Sequence, residues 1–356
     1  MKEKNIAIMF GGRSTEHDIS ILSALQAYNA INKQKYNVLP IYISKSGKWF
    51  LIKDFSSTTP FKEFNEKKHR RVFLLNGDNT LYSDGVLRKK IASLDCALCV
   101  LHGFGGEDGT LQGVLETSFV PYTSGDILSL ASTLDKARMK EVFKANSFPI
   151  TDYIVLNSIE EMSKMKLDYP VIVKPNSLGS SIGIKVCRNK KELGCALAVA
   201  FQFDEKVVVE RVVENLVEYN CAAYGYKQKV VLSKIERPLK EGEILSFEDK
   251  YVSKGKSKAN SKREIPAKIS KELESEIFNL TKKTFLAFNL SGVVRCDFLY
   301  DGEKLYINEV NSIPGSLANY LFDKPFSALI DNLIEIAIIK SKDKQSKTHT
   351  FSSSVL

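Results

Sequence analysis

The chain has 356 residues, of which 44% are hydrophobic and 26% charged, a balance ordinary for a folded protein of two or three domains and unlike disordered or collagen-like chains. No apolar run approaches the ~18–20 residues that span a bilayer, so no membrane association is expected. The formal charge of +9 invites a nucleic-acid reading, but the lysines are dispersed and the densest run, KGKSKANSK (254–262), has no interleaved aromatic residue, so it reads as a solvated loop and no nucleic-acid partner is expected.

The N-terminal MKEKNIAIMFGG is too short in its apolar part for a secretory signal, which points to the cytoplasm. NIAIMF, the helical pattern of STEHDISILSALQAYNAINK, VLPIYIS and CALCVLH then alternate as strand and helix. That order predicts a Rossmann-like domain with a parallel sheet over residues 1–120, with VPYTS as a further β-rich run. Gly11 and Gly12 fall where the first strand hands over to its helix, a place where backbone amides can receive an anion, although GGxS is not the dinucleotide spacing GxGxxG. The six cysteines are scattered and mostly flanked by apolar residues, as buried free thiols are. Cys96 and Cys99 form a single CxxC, which with only four histidines in the chain does not support zinc.

From Leu134 the stretch LDKARMKEVFKANSF has helical spacing, with Asp135 placed to cap it. YIVL, VIVKP, IGIKVC and VVVERVV follow as β-rich segments, with helix-prone IEEMSKMK between the first two, and predict an α+β lobe over 121–215. A third region, 216–340, opens with LVEYNCAAYG and KVVLSKIE as long strands, crosses a charged loop at 240–264, and continues with a helix at 270–289, a hairpin and a last helix. The polar tail 341–356 is expected to be disordered.

The most informative stretch is the hairpin GVVRCDFLYDGEKLYINEVNSIPG (292–315). Alternation places Arg295 and Asp297 on one face of its first strand, and Glu309 and Asn311 on one face of the second. The two faces coincide only if odd-numbered residues oppose odd-numbered ones, and a three-residue loop Tyr300-Asp301-Gly302 would achieve that. Two carboxylates and an amide oxygen then converge, hard donors that suit magnesium and suit zinc poorly. The plainer reading, solvated positions on a half-exposed hairpin, does not account for Arg295 two residues before Asp297, a cation that a transferring phosphoryl group needs. Lys174 at the end of an apolar strand, Lys136 in the first turn of a helix, Lys250 beside Tyr251 and the Gly-Ser-Ser loop add the features of a nucleotide triphosphate held between lobes.

With these residues in place, the chain resembles the ATP-grasp D-alanine–D-alanine ligases. The similarity runs through FGGRSTEHDIS (10–20), LHGFGGEDGTLQGVLE (101–116), PYTSGDILSLASTLDK (121–136), VIVKPNSLGSSIGIK (171–185), VVVERVVENLVEYN (207–220), FEDKYVS (247–253) and VVRCDFLYDGEKLYINEVNSIPG (293–315). It implies a three-domain ATP-grasp fold, α/β and α+β, that makes D-alanyl-D-alanine from two D-alanines and ATP through an acyl phosphate, for peptidoglycan precursors. Lys136 and Lys174 would hold the α- and β-phosphates, Glu210 and the adjacent backbone the adenine edge, and Glu218 the ribose. Asp297, Glu309 and Asn311 would bind two magnesium ions, with manganese as a substitute. Arg295 and Lys250 would neutralise the transferring phosphoryl group. Glu16 would hold the first ammonium, tied through Ser180 to Tyr251 on a closing lid, with His102 near the same substrate and the Gly315 amide in an oxyanion hole. A homodimer is implied by the same analogy.

Three departures stand out. Tyr320 and Leu321 occupy the place of a serine-leucine pair that holds the second substrate's carboxylate, which leaves the acceptor amino acid open, D-serine included. The usual Gly-Ser after PYT is inverted to Ser124-Gly125, and Glu218 is offset by one residue. A nucleotide-binding regulator without catalysis would lack a metal ligand or a phosphate cation, and none is missing. The lid's Lys250-Tyr251 lacks the histidine of relatives that accept D-lactate, which argues against a depsipeptide product.

Overall fold

The computed structural model describes residues 3–85, 87–239, 263–348 and 350, and among these residues the strands form three sheets. The first is built from β1 (Lys4–Gly11), α1 (His17–Ala30), β2 (Tyr36–Ile43), β3 (Trp49–Leu51), β4 (Arg70–Leu75), β5 (Asp78–Ser83), β6 (Lys89–Ser93) and β7 (Cys96–Cys99). Its strand order is β6-β5-β4-β3-β2-β1-β7. β1 pairs in parallel with β2 and β7, and residues 6–10 are wholly buried, as a strand covered on both faces must be. The parallel layer read from the sequence is this part alone. An antiparallel meander, β3 to β6, extends it; those strands are short and carry exposed Arg70, Arg71, Lys89 and Lys90, so they give little apolar signal. VPYTS contributes a single bridge, Ala97 to Tyr122, because it is a short connection between α2 (Thr110–Thr117) and α3 (Ile127–Leu134).

The second sheet follows α4 (Lys136–Ala145), whose Asp135 cap accepts from the Arg138 amide at 3.0 Å. It comprises β8 (Tyr153–Leu156), β9 (Val171–Pro175), β10 (Lys185–Cys187) and β11 (Val207–Arg211), with α5 (Lys190–Ala200) between the last two. Its order is β10-β9-β11-β8, all antiparallel. The sequence reading did not assign α5, yet Leu193, Ala196, Leu197 and Ala200 repeat at helical spacing and pack on Val171, Val173, Val207 and Val209. IEEMSKMK is only a 3-10 turn, Glu160–Lys164.

The third sheet contains β12 (Val217–Tyr226), β13 (Lys229–Pro238), β14 (Arg263–Glu264), β15 (Ser291–Tyr300) and β16 (Leu305–Asn311), ordered β14-β13-β12-β15-β16. α6 (Lys271–Ala287) lays Ile277, Leu280 and Phe285 on it. The final helix, α7 (Phe326–Gln345), returns to the first core: Leu329, Ile330, Leu333, Ile334 and Ala337 join Ile313, Leu317, Ala318 and Leu321 among the N-terminal hydrophobic residues. The three sheets thus fall within 1–120, 121–215 and 216–340. The tail starts later than composition suggested, since residues 341–345 are helical and Lys344 pairs with Glu116 and Asp126. Cys195 is exposed, against the expectation of buried thiols, because its position on α5 points away from the Leu193–Leu197 stripe.

Candidate active site

The hairpin register sets the site. Arg295 lies opposite Asn311 and Asp297 opposite Glu309, so odd residues face odd residues. The turn differs from the expectation: Tyr300 pairs with Leu305, leaving four residues, 301–304, closed by the Asp301 carboxylate accepting from the Glu303 and Lys304 amides at 2.9 and 2.7 Å. Parity is restored by a bulge. Phe298 pairs with Ile307 while Asp297 pairs with Glu309, so Asn308 is the inserted residue. Arg295 grips Asp297 with two bonds, Nε to Oδ1 at 2.6 Å and Nη2 to Oδ2 at 2.7 Å, and Asn311 Nδ2 donates to Oδ2 at 3.0 Å.

The bulge has a second effect. Lys174, at the end of β9 and buried, donates to Asn308 Oδ1 at 3.0 Å and pairs with Glu210 Oε1 at 2.9 Å. The other Glu210 oxygen takes Lys140 at 3.0 Å and the Thr151 hydroxyl at 2.7 Å. Burial disfavours the ionised Glu210, but the ammonium groups of Lys140 and Lys174 outweigh it and hold the carboxyl well below the usual carboxylate range. The adenine role expected of Glu210 and the adjacent backbone does not fall to its carboxylate, whose two oxygens serve lysines; residues 210–213 line the cleft.

Glu16 sits at the N-terminal end of α1 and accepts from the Ser180 hydroxyl. Ser180 and Ser181 take left-handed backbone angles, φ 55° and 60°, which turn the Gly-Ser-Ser loop back over the cleft. Lys136 is buried at the loop's base, its ammonium donating to the Leu178 carbonyl at 2.5 Å, so the structure places it against the loop and not on the cleft wall. The Gly11 and Gly12 amides are not an anion site: they donate to Ser20 Oγ and to the Ile43 carbonyl, each at 2.8 Å.

His102 also departs from its expected place. It is buried away from the cleft, with Nδ1 2.7 Å from the Ile313 carbonyl and Nε2 3.0 Å from Ser23 Oγ, and burial lowers its pKa, which favours the neutral ring. Glu107, from the HGFGGEDG stretch, accepts from the Gly103 and Ile313 amides at 2.8 Å each and from the Ser312 hydroxyl at 3.2 Å. Burial and the nearby Glu16 carboxylate push it up to about 7. Leu321 packs in the N-terminal core and not against the cleft, since the turn that carries it folds inward. Tyr320 does line the cleft; its hydroxyl donates to the buried Glu236 at 3.2 Å, and burial pushes the phenol up to about 12.

One cleft of about 1690 Å³ gathers Glu16, Lys174, Ser180, Glu210, Glu218, Arg295, Asp297, Glu309, Asn311, Gly315 and Tyr320. Lys250 and Tyr251, and the lid 240–264 except β14, lie outside the described residues. Asn308, Lys140, Glu236 and Glu107 were missed from sequence. Two of them leave a signal: Lys140 falls on the buried stripe of α4 with Ala137, Met139 and Phe143, and Glu107 stands in a glycine-rich loop. Among the described residues no group of three or more His, Cys, Asp or Glu side chains comes together. Asp297, Glu309 and Asn311 offer two carboxylates and an amide oxygen on neighbouring rungs, hard donors that suit a hard cation with phosphate oxygens completing its shell and suit a thiolate- or imidazole-bound metal poorly.

Residues 5–125 match the model of the D-ala D-ala ligase N-terminus and residues 142–335 that of the D-ala D-ala ligase C-terminus. The D-alanine–D-alanine ligase of Thermosipho africanus is 39% identical over 97% of this chain and 96% of its own length. The solved D-alanine-D-alanine ligase of Coxiella burnetii is 27% identical, covers 97% of each chain and superposes with a TM-score of 0.83. VanG D-Ala:D-Ser ligase of Enterococcus faecalis is 28% identical, covers 94% of this chain and 100% of its own, and has a TM-score of 0.80.

Proposed function

Because the chain belongs to the D-alanine–D-alanine ligase family, we propose that the cleft between the Gly-Ser-Ser loop and the Asp297–Glu309 hairpin carries the family's reaction. The protein is an ATP-dependent ligase with the ATP-grasp fold, and it makes the D-alanyl-D-alanine used in cell-wall precursors. Glu16, oriented by Ser180, takes the ammonium of the first D-alanine. The carboxylate oxygen of that D-alanine attacks the γ-phosphorus, and the bond to the bridging oxygen of ADP breaks, leaving an acyl phosphate and ADP. The neutral amine of the second D-alanine then adds to the acyl carbonyl. Phosphate leaves, and the amine proton is released.

Arg295, oriented by its two bonds to Asp297, faces the transferring phosphoryl group, and the Gly315 amide faces the carbonyl oxygen whose charge develops in that addition. Lys174, aimed by Glu210 and Asn308, faces the phosphates, and Lys136 anchors the loop that covers them. Glu218 faces the ribose from the same wall. Asp297, Glu309 and Asn311 would hold two magnesium ions, or manganese, which supply positive charge to the phosphate oxygens. The observation that carries this reading is the joining, in one cleft, of the Glu16–Ser180 pair with the Asp297–Glu309 rung.

The test is direct: incubate the protein with Mg-ATP and D-alanine and quantify ADP, phosphate and dipeptide. Equal amounts of the three are expected, and ADP formation without dipeptide, or no turnover, rejects it. A D-serine acceptor is the second reading, favoured by Tyr320 and its Glu236 partner at the acceptor end; a parallel arm with both amino acids, products identified by mass, decides between them. Among the described residues no helix is long and apolar enough to cross a membrane. We place the enzyme in the cytoplasm, where ATP is available, and as a homodimer by family analogy; the mass in solution tests the latter.

A further inference from the structure

The segment after Pro314 carries three consecutive non-glycine residues in the left-handed region: Ser316, Leu317 and Ala318, with φ 53°, 51° and 47°. Left-handed backbone is unfavourable for L-residues, and a run of it persists only where the surroundings impose it. Two of the three, Leu317 and Ala318, are buried in the N-terminal core, and the polar groups of the segment are gripped by three side chains of the N-terminal region.

With the buried His102 ring neutral, its hydrogen bonds have one consistent assignment. The Ile313 carbonyl accepts from His102 Nδ1–H at 2.7 Å, so Nε2 of a neutral ring is the acceptor and the Ser23 hydroxyl donates to it at 3.0 Å. Ser23 Oγ accepts in turn from the Ser316 amide at 2.9 Å. Glu107 accepts from the Ile313 amide and the Ser312 hydroxyl with one oxygen, and ties the other to the Gly103 amide. Both backbone groups of Ile313 and the amide of Ser316 are thus fixed on either side of Gly315. Ser23, His102 and Glu107 do not line the cleft, whereas Gly315 and Ser316 do.

We propose that Ser23, His102 and Glu107 are positioning residues that hold this left-handed turn and so aim the Gly315 amide at the reacting carbonyl. The inference rests on the ligase reading and goes beyond it, since it assigns the three side chains a role through the backbone and none in substrate contact. An amide displaced by about 1 Å forfeits much of its effect on the transition state, and loss of one oxyanion donor costs on the order of 100-fold in turnover.

The test uses the full chain with three variants, Ser23→Ala, Glu107→Gln and the double, measured for dipeptide formation, KM for ATP and thermal midpoint. Each single change is expected to lower kcat about 10- to 100-fold with KM for ATP unchanged. The double should cost little more than the worse single, because both act through one segment. Wild-type kcat in a folded variant, or losses that multiply and carry KM for ATP with them, overturns the proposal. Wild-type protein that makes no dipeptide overturns the ligase reading and this inference together. Amide hydrogen exchange on the unaltered protein covers the case of a variant that does not fold: protected Ile313 and Ser316 amides support the clamp, and rapid exchange at both refutes it.

Discussion

Lys140 offers the sharpest test of how the phosphate wall is built. Its ammonium is 1% exposed and its ion-pair partner is Glu210, 2% exposed, which it shares with Lys174. Removing one member of a buried pair leaves the other charge uncompensated and typically costs about 3–5 kcal/mol. Glu210 keeps Lys174 and Thr151, so Lys140→Met should fall at the low end, about 3 kcal/mol, read from denaturant unfolding. With Lys140 gone, Glu210 draws on Lys174 alone, and KM for ATP should rise several-fold while that for D-alanine stays. Glu210→Gln added to Lys140→Met removes both charges and should be less destabilising than Lys140→Met by itself. The pH dependence follows from the depressed Glu210 pKa: its stabilisation is complete above the unfolded value of about 4.3 and is lost as pH falls toward the lower folded one. In Lys140→Met the onset, set by the unfolded value, is unchanged, but the loss should be smaller and end at a higher pH, because the folded value is less depressed. A variant as stable as wild type with an unchanged KM for ATP would show that the three charges are packing and nothing more.

Three further outcomes are expected. Glu16→Gln should raise the KM for the first D-alanine about tenfold or more and leave ATP binding unaltered, since the ammonium loses a charged partner; steady-state kinetics at saturating ATP check this. Tyr320→Ser should change the ratio of D-alanyl-D-alanine to D-alanyl-D-serine in mixed-substrate assays read by mass, and an unchanged ratio would detach Tyr320 from the acceptor. Chelation of divalent ions should abolish turnover and added magnesium or manganese restore it, whereas full activity in excess chelator would remove the metal role from Asp297, Glu309 and Asn311.

Much of this site was legible because its side chains lie on regular elements whose periodicity fixes the face they occupy. Asp135 as a cap, Lys136 in the first turn of α4 and Lys174 at a strand end all follow from local rules. What local rules could not supply was partnership across distant segments. The family resemblance assigned His102 and Glu210 to ligands, but each finds its partners elsewhere in the chain, at Ile313 and Ser23 and at Lys140 and Lys174. The meander β3 to β6 was unread for a different reason: its strands are only three to six residues long and two of them open on paired charged residues, so the alternation is too brief to stand out.

The hairpin shows why an outcome can be legible when its means is not. Bringing Asp297 and Glu309 to one face demands that odd residues oppose odd residues, and the chemistry of the two carboxylates made that demand readable. Two backbone devices satisfy it, a three-residue loop or a four-residue loop with one bulge. The Asp301 side chain favours the second, since its carboxylate closes the four-residue turn by accepting from Glu303 and Lys304. The parity error is then corrected within β16, at Asn308, where the extra residue also reaches Lys174. A three-residue loop would have delivered the same pair of carboxylates without an acceptor for the lysine. The bulge therefore couples the carboxylate face of the third sheet to the lysine of the second. Asn308→Leu, which keeps the backbone but not the acceptor, should raise KM for ATP by a few-fold while Asp297 and Glu309 remain opposed. An unchanged KM would mean that Glu210 alone aims Lys174.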